Sequence, residues 1–444
     1  MSFAEAVIPA CVLLSHMAFA SRFLRSLRNR QLPTTLEFSS LSFLIYFDIG
    51  LVAEVMFGYD NPFFAPFFDA PPELMLFAAL LLIAAPWLLD LGAMLAGKPK
   101  RLDLLMFRHL RLIPSRRIVF DVSAAAICAT TIVLSAQYMN RGNIWEMRRE
   151  VGQAFGPLIL VLYLPLYLLG FYVGLSDFAT RRGKAMVLIL LLVATVAAVP
   201  LGQRTLVLLP LLIVMLFGQR LSTKRIAFAA AAGLVVASLA LPYFKWGFAG
   251  NSDASALVKS VVTNDLNRAP VLLTSIQNSP WVGTEVLPFV GSGYAYAALL
   301  YVPRSFLPVK PTATAQNFTA YLVKEDARML NWGFGISAID ELILNFGRLA
   351  AVPGLVFVGF LLGVIDRIAS RYPTLVVPSR LAAVWFMGYH LVALLLSFGS
   401  MFIVGSVLTV VFCEKSKAVQ RALAESRRRF VRVSSPTSMR SDEV

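Results

Sequence analysis

Runs of about 20 consecutive apolar residues recur along most of the chain, and each is long enough as a helix to cross the hydrocarbon core of a bilayer. Only 15% of the residues are charged, compared with about a quarter in a typical soluble protein. Because lipid offers the backbone no hydrogen-bond partner, spanning segments must be helices or closed barrels. Continuously apolar runs such as 185–199 lack the alternation of barrel strands. The sequence therefore predicts an all-α polytopic membrane bundle.

About eleven transmembrane helices are predicted from the length and position of these runs. They lie near residues 3–20, 36–57, 74–96, 118–139, 157–176, 185–202, 205–218, 226–246, 349–366, 381–396 and 401–414. The first run is followed by basic residues instead of being preceded by them, which indicates a retained helix and not a cleaved signal.

The formal net charge of +15 is explained by topology and not by nucleic-acid binding. Of the 40 Lys and Arg, 28 lie in the C-terminal tail and in short connections that alternate with connections poorer in these residues, which is the positive-inside pattern. This pattern predicts a bacterial inner-membrane protein with a periplasmic N-terminus and a cytoplasmic C-terminus. The segment 97–117 is expected to form an amphipathic helix on the inner leaflet, and both it and the basic tail would contact membrane lipids.

Four regions follow from this topology. They are an N-terminal bundle of about eight helices (1–246), a long periplasmic segment with short helices (247–348, called the outer segment below), C-terminal membrane helices (349–414) and a basic cytoplasmic tail (415–444). Connections as long as the outer segment usually carry function. The three cysteines lie within or at the edge of apolar runs, so no disulfide framework or metal site is predicted. No soluble-enzyme motif is present.

An arginine between two apolar runs is the first candidate functional residue. Gly202-Gln203-Arg204-Thr205 separates two predicted helices, and an arginine there is costly unless it faces water or a partner. Arg204 either lies at the floor of an outward cavity and holds a phosphate, or belongs to a tight turn and reaches the outer headgroups.

A second group of cations lies in the outer segment and consists of Arg268, Arg304, Lys310 and Arg348. Prolines 303, 308 and 311 stiffen the backbone around Arg304 and Lys310 and disfavour a regular helix there. A stiff backbone that holds two cations suits a polyanion such as a diphosphate, whose oxygens arginine binds through paired hydrogen bonds. The alternative is that these are solvated charges close to lipid headgroups.

A third motif, Gly333 to Gly347, combines flexible glycines with carboxyl groups. Glu341 and Asn345 are four residues apart and would share one helix face. Glu341 could take a proton from a sugar hydroxyl as a general base. Asp340 is a weaker candidate, because an acidic residue at this position also stabilises a helix N-terminus.

In these motifs the chain resembles the Wzy-type O-antigen polymerases, which join oligosaccharide repeat units. The resemblance rests on the order of a Gly-x-Arg turn (Gly202 to Arg204), a Pro-Arg…Pro-x-Lys-Pro element (Pro303 to Pro311) and a Gly-Ile-Ser…Glu…Asn-Phe-Gly element (Gly335 to Gly347). It covers roughly residues 202–363, and the N-terminal half matches in hydropathy alone.

The resemblance implies a GT-C-like glycosyltransferase that needs no metal or other cofactor. Its partners would be undecaprenyl-diphosphate-linked glycans, as donor and acceptor, and a chain-length regulator; nucleic acid would not be one. The donor diphosphate would be held by the cations of the two groups above: Arg204, Arg268, Arg304, Lys310 and Arg348. Glu341 and Arg204 would be catalytic, and Asp340 and Asn345 would lie on the acceptor side. The product would be O-antigen or exopolysaccharide.

One position departs from the family pattern. Many relatives carry an arginine and an acidic residue between the last two helices, where this chain has Ser397-Phe398-Gly399-Ser400. The role of that arginine is either filled elsewhere, for which Arg348 is a candidate, or absent.

Two alternatives to a polymerase stay open at this stage. A ligase that attaches finished glycan to another acceptor would share the same features. A transporter or flippase would instead use the intramembrane carboxyls, such as Asp48 and Glu54.

Overall fold

The computed structural model describes the following residues: 3–29, 31–59, 61–97, 110–139, 160–175, 177, 180–201, 263, 266–299, 302, 306–330, 333–371, 375–376, 379–380 and 391–415. Within this part the architecture is helical, with one two-stranded ladder. The predicted all-α membrane bundle is therefore confirmed in its helical character.

Eight of the described elements are long or medium helices of the bundle. They are α1 (Phe3–Arg28), α2 (Thr35–Phe43), α3 (Ile49–Phe57), α4 (Pro72–Leu95), α5 (Arg117–Met139), α6 (Leu160–Val173), α7 (Arg181–Leu201) and, late in the chain, α12 (Ala351–Arg371). Among the described residues, five helices are long and apolar enough to cross a membrane. Each overlaps a predicted span, while the total of eleven stays a prediction.

The last helix differs from the prediction. Residues 391–412 form one continuous helix, α13 (Leu391–Phe412), which runs through Ser397 to Ser400 without a break. The expected outer loop at 397–400, and the separate helix from 401, are wrong. The physical reason is that two serines and one glycine flanked by leucine, phenylalanine and valine cost a helix little, since its apolar sides are stabilised by their surroundings. The predicted helices at 205–218 and 226–246 lie outside the described residues.

α4 and α12 pack along their whole lengths, and glycines make this possible. A side chain at Gly92 would collide with the backbone of Val356, and one at Gly359 would collide with the backbone of Leu89. Gly359 and Gly363 form a G-x-x-x-G spacing, which lets membrane helices approach closely enough for backbone contact. This pair forms the centre of the described bundle.

α2 and α3 are one continuous span, joined by a π-helical turn at Leu44–Asp48. At its N-terminal end, Asp366 of α12 accepts hydrogen bonds from the backbone N–H of Thr35 at 2.9 Å and from its hydroxyl. Arg380 forms an ion pair with Asp366 and donates Nε–H to the Pro33 carbonyl at 2.8 Å. We call Thr35, Asp366 and Arg380 the Asp366 network. It joins two segments that are more than 300 residues apart in the chain.

A short antiparallel ladder closes another face of the bundle. β1 (Leu110–Leu112) pairs with β2 (Cys413–Lys415), which continues directly from α13. Across the ladder, Arg111 Nη2 lies 2.6 Å from Glu414 Oε1. The amphipathic helix expected over 97–117 is therefore wrong for residues 110–112, because their backbone pairs with β2. Residues 114–116 form a 3₁₀ turn that leads into α5, and residues 98–109 lie outside the described part.

The described part of the outer segment consists of four short helices joined by turns. They are α8 (Ala269–Gln277), α9 (Ser292–Ala298), α10 (Thr314–Val323) and α11 (Ala338–Phe346). α8 and α11 pack against each other, and α8 also contacts α4. Their apolar residues, including Leu272 and Ile339, belong to the same core as α3, α4 and α12. The outer segment is thus built onto the bundle.

Candidate functional site

Arg268 is held rigidly at the N-terminus of α8. Its backbone N–H donates to the Tyr46 carbonyl at 2.8 Å, which fixes it to the bundle. Its guanidinium Nη1 donates to the Gly335 carbonyl at 2.9 Å. The guanidinium lies against Gly335 so closely that a side chain at this glycine would collide with it. The glycine before α11 therefore serves to admit an arginine that lies 67 residues earlier in the chain.

Glu54 anchors the residue before Arg268 to the end of α3. One carboxyl oxygen of Glu54 accepts from Asn267 Nδ2 at 2.6 Å, and the other accepts from the Phe67 backbone N–H at 2.5 Å. Both Glu54 and Asn267 are buried. Tyr59 lies beside this group, and burial raises the pKa of its hydroxyl, as does the nearby Glu54 carboxyl, while Arg268 opposes the rise.

Asp340 faces Arg268 from the first turn of α11. Ser337 and Asp340 form a reciprocal cap, in which the Ser337 N–H donates to Asp340 Oδ2 at 2.6 Å. Complete burial raises the pKa of Asp340, and the hydrogen bonds from Ser337, the Ser275 hydroxyl nearby and the Arg268 charge oppose that rise. The structure therefore places Asp340 near the Arg268 cation, and its role on the acceptor side stays a prediction.

Within the described part of the chain, Arg268 Nε is buried without a hydrogen-bond partner, and Ser275 Oγ and Asp340 Oδ1 have none beyond the contact between Ser275 and Asp340. Such atoms cost free energy when buried, so native proteins rarely leave them together without a bound water, ion or ligand. We call Glu54, Tyr59, Arg268, Ser275 and Asp340 the Arg268 cluster. Its chemistry is that of a cation with a carboxyl and a hydroxyl beside it, and it lies against the end of α3.

Glu341 is buried on a different side of α11. Its carboxyl raises the pKa of Tyr294, although burial of the phenol is the larger cause. The Tyr294 ring stacks on Phe346 with the centroids 5.5 Å apart, and its buried hydroxyl has no hydrogen-bond partner. A buried carboxyl beside a buried phenol can bind and orient a hydroxylated ligand.

Asn345 lies one turn after Glu341, as predicted, and ties three short helices together. Its Nδ2 donates to the Glu341 carbonyl at 2.8 Å and its Oδ1 accepts from the Gly293 N–H at 3.0 Å. Nδ2 also lies 3.3 Å from the Thr314 hydroxyl. These bonds connect α11 with the starts of α9 and α10, so Asn345 positions Glu341 instead of offering its amide to a ligand.

Two other candidate cations of the outer segment, Lys310 and Arg348, lie apart from Arg268. Lys310 is buried, donates to the Val302 carbonyl at 3.0 Å and lies over the Tyr296 ring. Arg348 donates Nε–H to the Ser279 carbonyl at 2.8 Å, beyond the C-terminal end of α8, whereas Arg268 lies at the N-terminal end. A nine-residue helix is about 13 Å long, so Arg268 and Arg348 bind backbone carbonyls at opposite ends of α8 and do not meet at one diphosphate.

The other two candidate cations, Arg204 and Arg304, lie outside the described residues. The sequence alone did not identify Asn267, Ser275 or Tyr294 and indicated Glu54 only as a transport residue. The spacing of Tyr294 from Glu341 in the chain gives no signal of their contact, which depends on tertiary packing. Within the described part of the chain, no group of three or more His, Cys, Asp or Glu residues could hold a metal ion.

No protein-family model, curated protein or solved structure matches this chain.

Proposed function

We propose that this protein is a membrane glycosyltransferase that polymerises glycan repeat units carried on a polyprenyl diphosphate such as undecaprenyl diphosphate. The observation that carries the proposal is the Arg268 cluster. A rigidly held guanidinium, one of whose N–H groups is buried without a partner, lies where the outer segment meets the bundle. A lipid-linked substrate has its charged group at the end of its lipid, so a site beside the bundle suits it.

The proposed reaction transfers the growing glycan from the donor diphosphate to a sugar hydroxyl of the acceptor. The bond between the anomeric carbon and the diphosphate oxygen breaks, and the acceptor oxygen forms the new bond. Arginine stabilises the negative charge that develops on the departing diphosphate. Arg268 would supply this stabilisation together with Arg204 and Arg304.

Glu341 would accept the proton that the acceptor hydroxyl loses. Its burial and its contact with Tyr294 support this role, because both exclude water from the carboxyl. Asp340 and Asn345 would act as positioning residues, since the first faces Arg268 and the second braces the helix turn that carries Glu341. Lys310 and Arg348 would stabilise the outer segment through the backbone carbonyls to which they donate.

The test compares lipid-linked glycans in cells whose own copy of the chain is replaced by a variant. Arg268→Ala and Glu341→Gln should each leave single repeat units on the lipid carrier and reduce long chains at least about 100-fold. Arg328→Ala and Glu325→Gln are the matched controls, since both residues are exposed in the same outer segment. Long chains in Arg268→Ala and Glu341→Gln, at protein levels equal to the controls, would overturn the proposal.

A transporter is the second candidate, and the buried carboxyls Asp48 and Glu54 within one span favour it. The two functions differ in what Asp48→Asn does. A transporter that uses this carboxyl would lose activity and leave repeat units on the cytoplasmic side. A polymerase would keep making long chains, because the Asp48 carboxyl contacts His16 of α1, whereas the Arg268 guanidinium donates to the Gly335 carbonyl of the outer segment.

A further inference from the structure

The centre of the first three helices contains a histidine whose ring nitrogens are both engaged. His16 of α1 is fully buried; its Nδ1 lies 2.8 Å from Asp48 Oδ2 and its Nε2 lies 3.0 Å from the Leu82 carbonyl of α4. Asp48 is also buried and ends the π-helical turn. This contact therefore joins three helices inside the predicted membrane region.

Pro86 explains why His16 meets the Leu82 carbonyl. Proline has no backbone N–H, so it cannot donate to the carbonyl four residues earlier, which is Leu82. In lipid, a carbonyl freed in this way must find another donor. His16 supplies it, and the neighbouring Ser15 hydroxyl donates to the Ile83 carbonyl at 2.8 Å. α1 thus supplies the hydrogen-bond donor that the Leu82 carbonyl of α4 lacks because of Pro86.

The hydrogen bond to the Leu82 carbonyl fixes the role of each ring nitrogen of His16. A carbonyl oxygen only accepts hydrogen bonds, so Nε2 must carry a proton. In a neutral imidazole, Nδ1 would then present a lone pair to Asp48 Oδ2. Two lone pairs at 2.8 Å repel each other, and an ionised carboxylate there would be a buried charge without compensation. One additional proton between Nδ1 and Oδ2 removes both costs.

We propose that His16 and Asp48 form an intramembrane proton-binding site, in which one proton is shared between Nδ1 and Oδ2 in addition to the proton on Nε2. The proton lies on Nδ1, as an imidazolium paired with a carboxylate, or on Oδ2, as a carboxylic acid that donates to Nδ1. In both forms the pair has no net charge. The Asp48 Oδ1 atom is buried without a partner, and only Oδ2 contacts the ring.

Other charged groups on these helices do not take over this role. Among the described residues, α1 carries Arg22, which pairs with Asp90 of α4 at 2.8 Å, and α3 carries Glu54, which is bound by Asn267. Arg22 and Glu54 each lie six positions from the pair, or about 9 Å along a helix. The side chain that packs on the imidazole is the Phe43 ring, with centroids 4.7 Å apart.

The direct test is nitrogen NMR of the full-length protein at pH 7.5 with ¹⁵N-labelled histidine, with His16 assigned by its loss in His16→Gln. Infrared spectroscopy of the same protein detects a protonated carboxyl group. Two results support the proposal: both ring nitrogens protonated, or Nε2 protonated together with a carboxylic-acid band that disappears in Asp48→Asn. An unprotonated Nε2, or a bare Nδ1 without that band, would overturn it.

A pair of substitutions tests the same idea through stability. Asn at position 48 can donate an N–H to Nδ1 as the shared proton does, so Asp48→Asn should keep the unfolding temperature within about 2 °C. Asp48→Leu has no donor and should lower it by more than about 5 °C. An Asp48→Asn protein that loses as much as Asp48→Leu contradicts the proposal. The NMR signal itself is read in the unsubstituted protein, and replacing His109 and His390 together assigns it to His16 where His16→Gln does not fold.

Discussion

Two arginines lie beside the two halves of the span Thr35–Phe57, each near a carboxyl, but they are bonded very differently. At the N-terminal end, the buried Arg380 donates to the Pro33 carbonyl and the Thr35 hydroxyl and pairs with Asp366, both of whose oxygens accept from Thr35. Beside the second half, Arg268 is half-buried, its backbone N–H donates to the Tyr46 carbonyl, and its Nε has no hydrogen-bond partner within the described part of the chain.

The difference separates structure from function. A fully hydrogen-bonded buried ion pair loses much when one partner is removed and has nothing left to offer a ligand. A half-buried cation with an unmet N–H still has a hydrogen-bond donor to offer, and a bound anion would accept from it. We therefore interpret the Asp366 network as a structural contact between distant segments of the chain, and the Arg268 cluster as a binding site.

The largest predicted loss of stability comes from breaking the Asp366 network. Asp366→Ala leaves Arg380 buried without its counter-charge, which should reduce the free energy of unfolding by about 3–5 kcal/mol. Thermal unfolding of the purified protein in detergent measures this. The control is Arg367→Ala, because Arg367 is the exposed neighbour of Asp366. Equal unfolding temperatures for the two variants would remove the distinction between the two arginines.

Asn345→Ala should cost less, about 2 kcal/mol, because the Gly293 N–H and the Glu341 carbonyl lose the same side chain. Asn278→Ala is the matched control, since Asn278 donates only to the Thr274 carbonyl within its own helix end. Unfolding temperatures again provide the measurement. If Asn345→Ala is no less stable than Asn278→Ala, the hydrogen bonds of Asn345 to α9 and α10 do not stabilise the outer segment.

Asp340→Asn tests the electrostatics of the Arg268 cluster through pH. Because burial raises the pKa of Asp340 in the folded protein, the folded state binds more protons than the unfolded state above the ordinary Asp range. The stability contributed by this group therefore falls as pH rises, until pH exceeds the raised value. Asparagine accepts the Ser337 N–H without titrating.

The expected result is an unfolding temperature of Asp340→Asn, relative to wild type, that increases between pH 4.5 and 7.5. Asp340→Ala provides the contrast, since it loses the cap and about 1 kcal/mol at every pH. A constant difference between wild type and Asp340→Asn over this range would show that the Asp340 carboxyl ionises as freely as an exposed one.

The smallest predicted change in stability is at Tyr294. Tyr294→Phe removes a buried hydroxyl that has no hydrogen-bond partner, so the free energy of unfolding should change by less than about 0.5 kcal/mol. Under the proposed function, the yield of long glycan should nevertheless fall several-fold, because the acceptor sugar would contact this hydroxyl near Glu341. A variant that is both stable and fully active would make Tyr294 a packing residue only.

How far the sequence predicts this structure depends on the range of the interactions. Runs of apolar residues are local, so hydropathy locates α1, α4 and α12 to within several residues. The ladder between β1 and β2 was not predicted, because each strand has three residues and its partner lies about 300 positions away. The break expected at 397–400 was wrong, since a polar tetrapeptide is a weak stop signal inside a strongly apolar environment.

In the candidate site, too, the sequence predicts local contacts but not contacts between residues that are distant in the chain. The shared face of Glu341 and Asn345 follows from helical spacing and is present in α11. Asp340 was grouped with them from its position in the chain, but its orientation is set by the Ser337 cap and by Arg268, 72 positions earlier. Arg348 lies at the opposite end of α8 from Arg268 because the fold brings it to the Ser279 carbonyl, which no local pattern indicates.

Binding of farnesyl diphosphate, a soluble analogue of the proposed lipid carrier, tests the binding role of Arg268 most directly. The Kd is measured for the purified wild type, Arg268→Ala and the exposed control Arg328→Ala, with farnesol as the ligand without phosphate. The account predicts that Arg268→Ala weakens diphosphate binding at least about tenfold, while Arg328→Ala matches wild type and farnesol binding is unchanged. Equal affinities of wild type and Arg268→Ala for farnesyl diphosphate would contradict it.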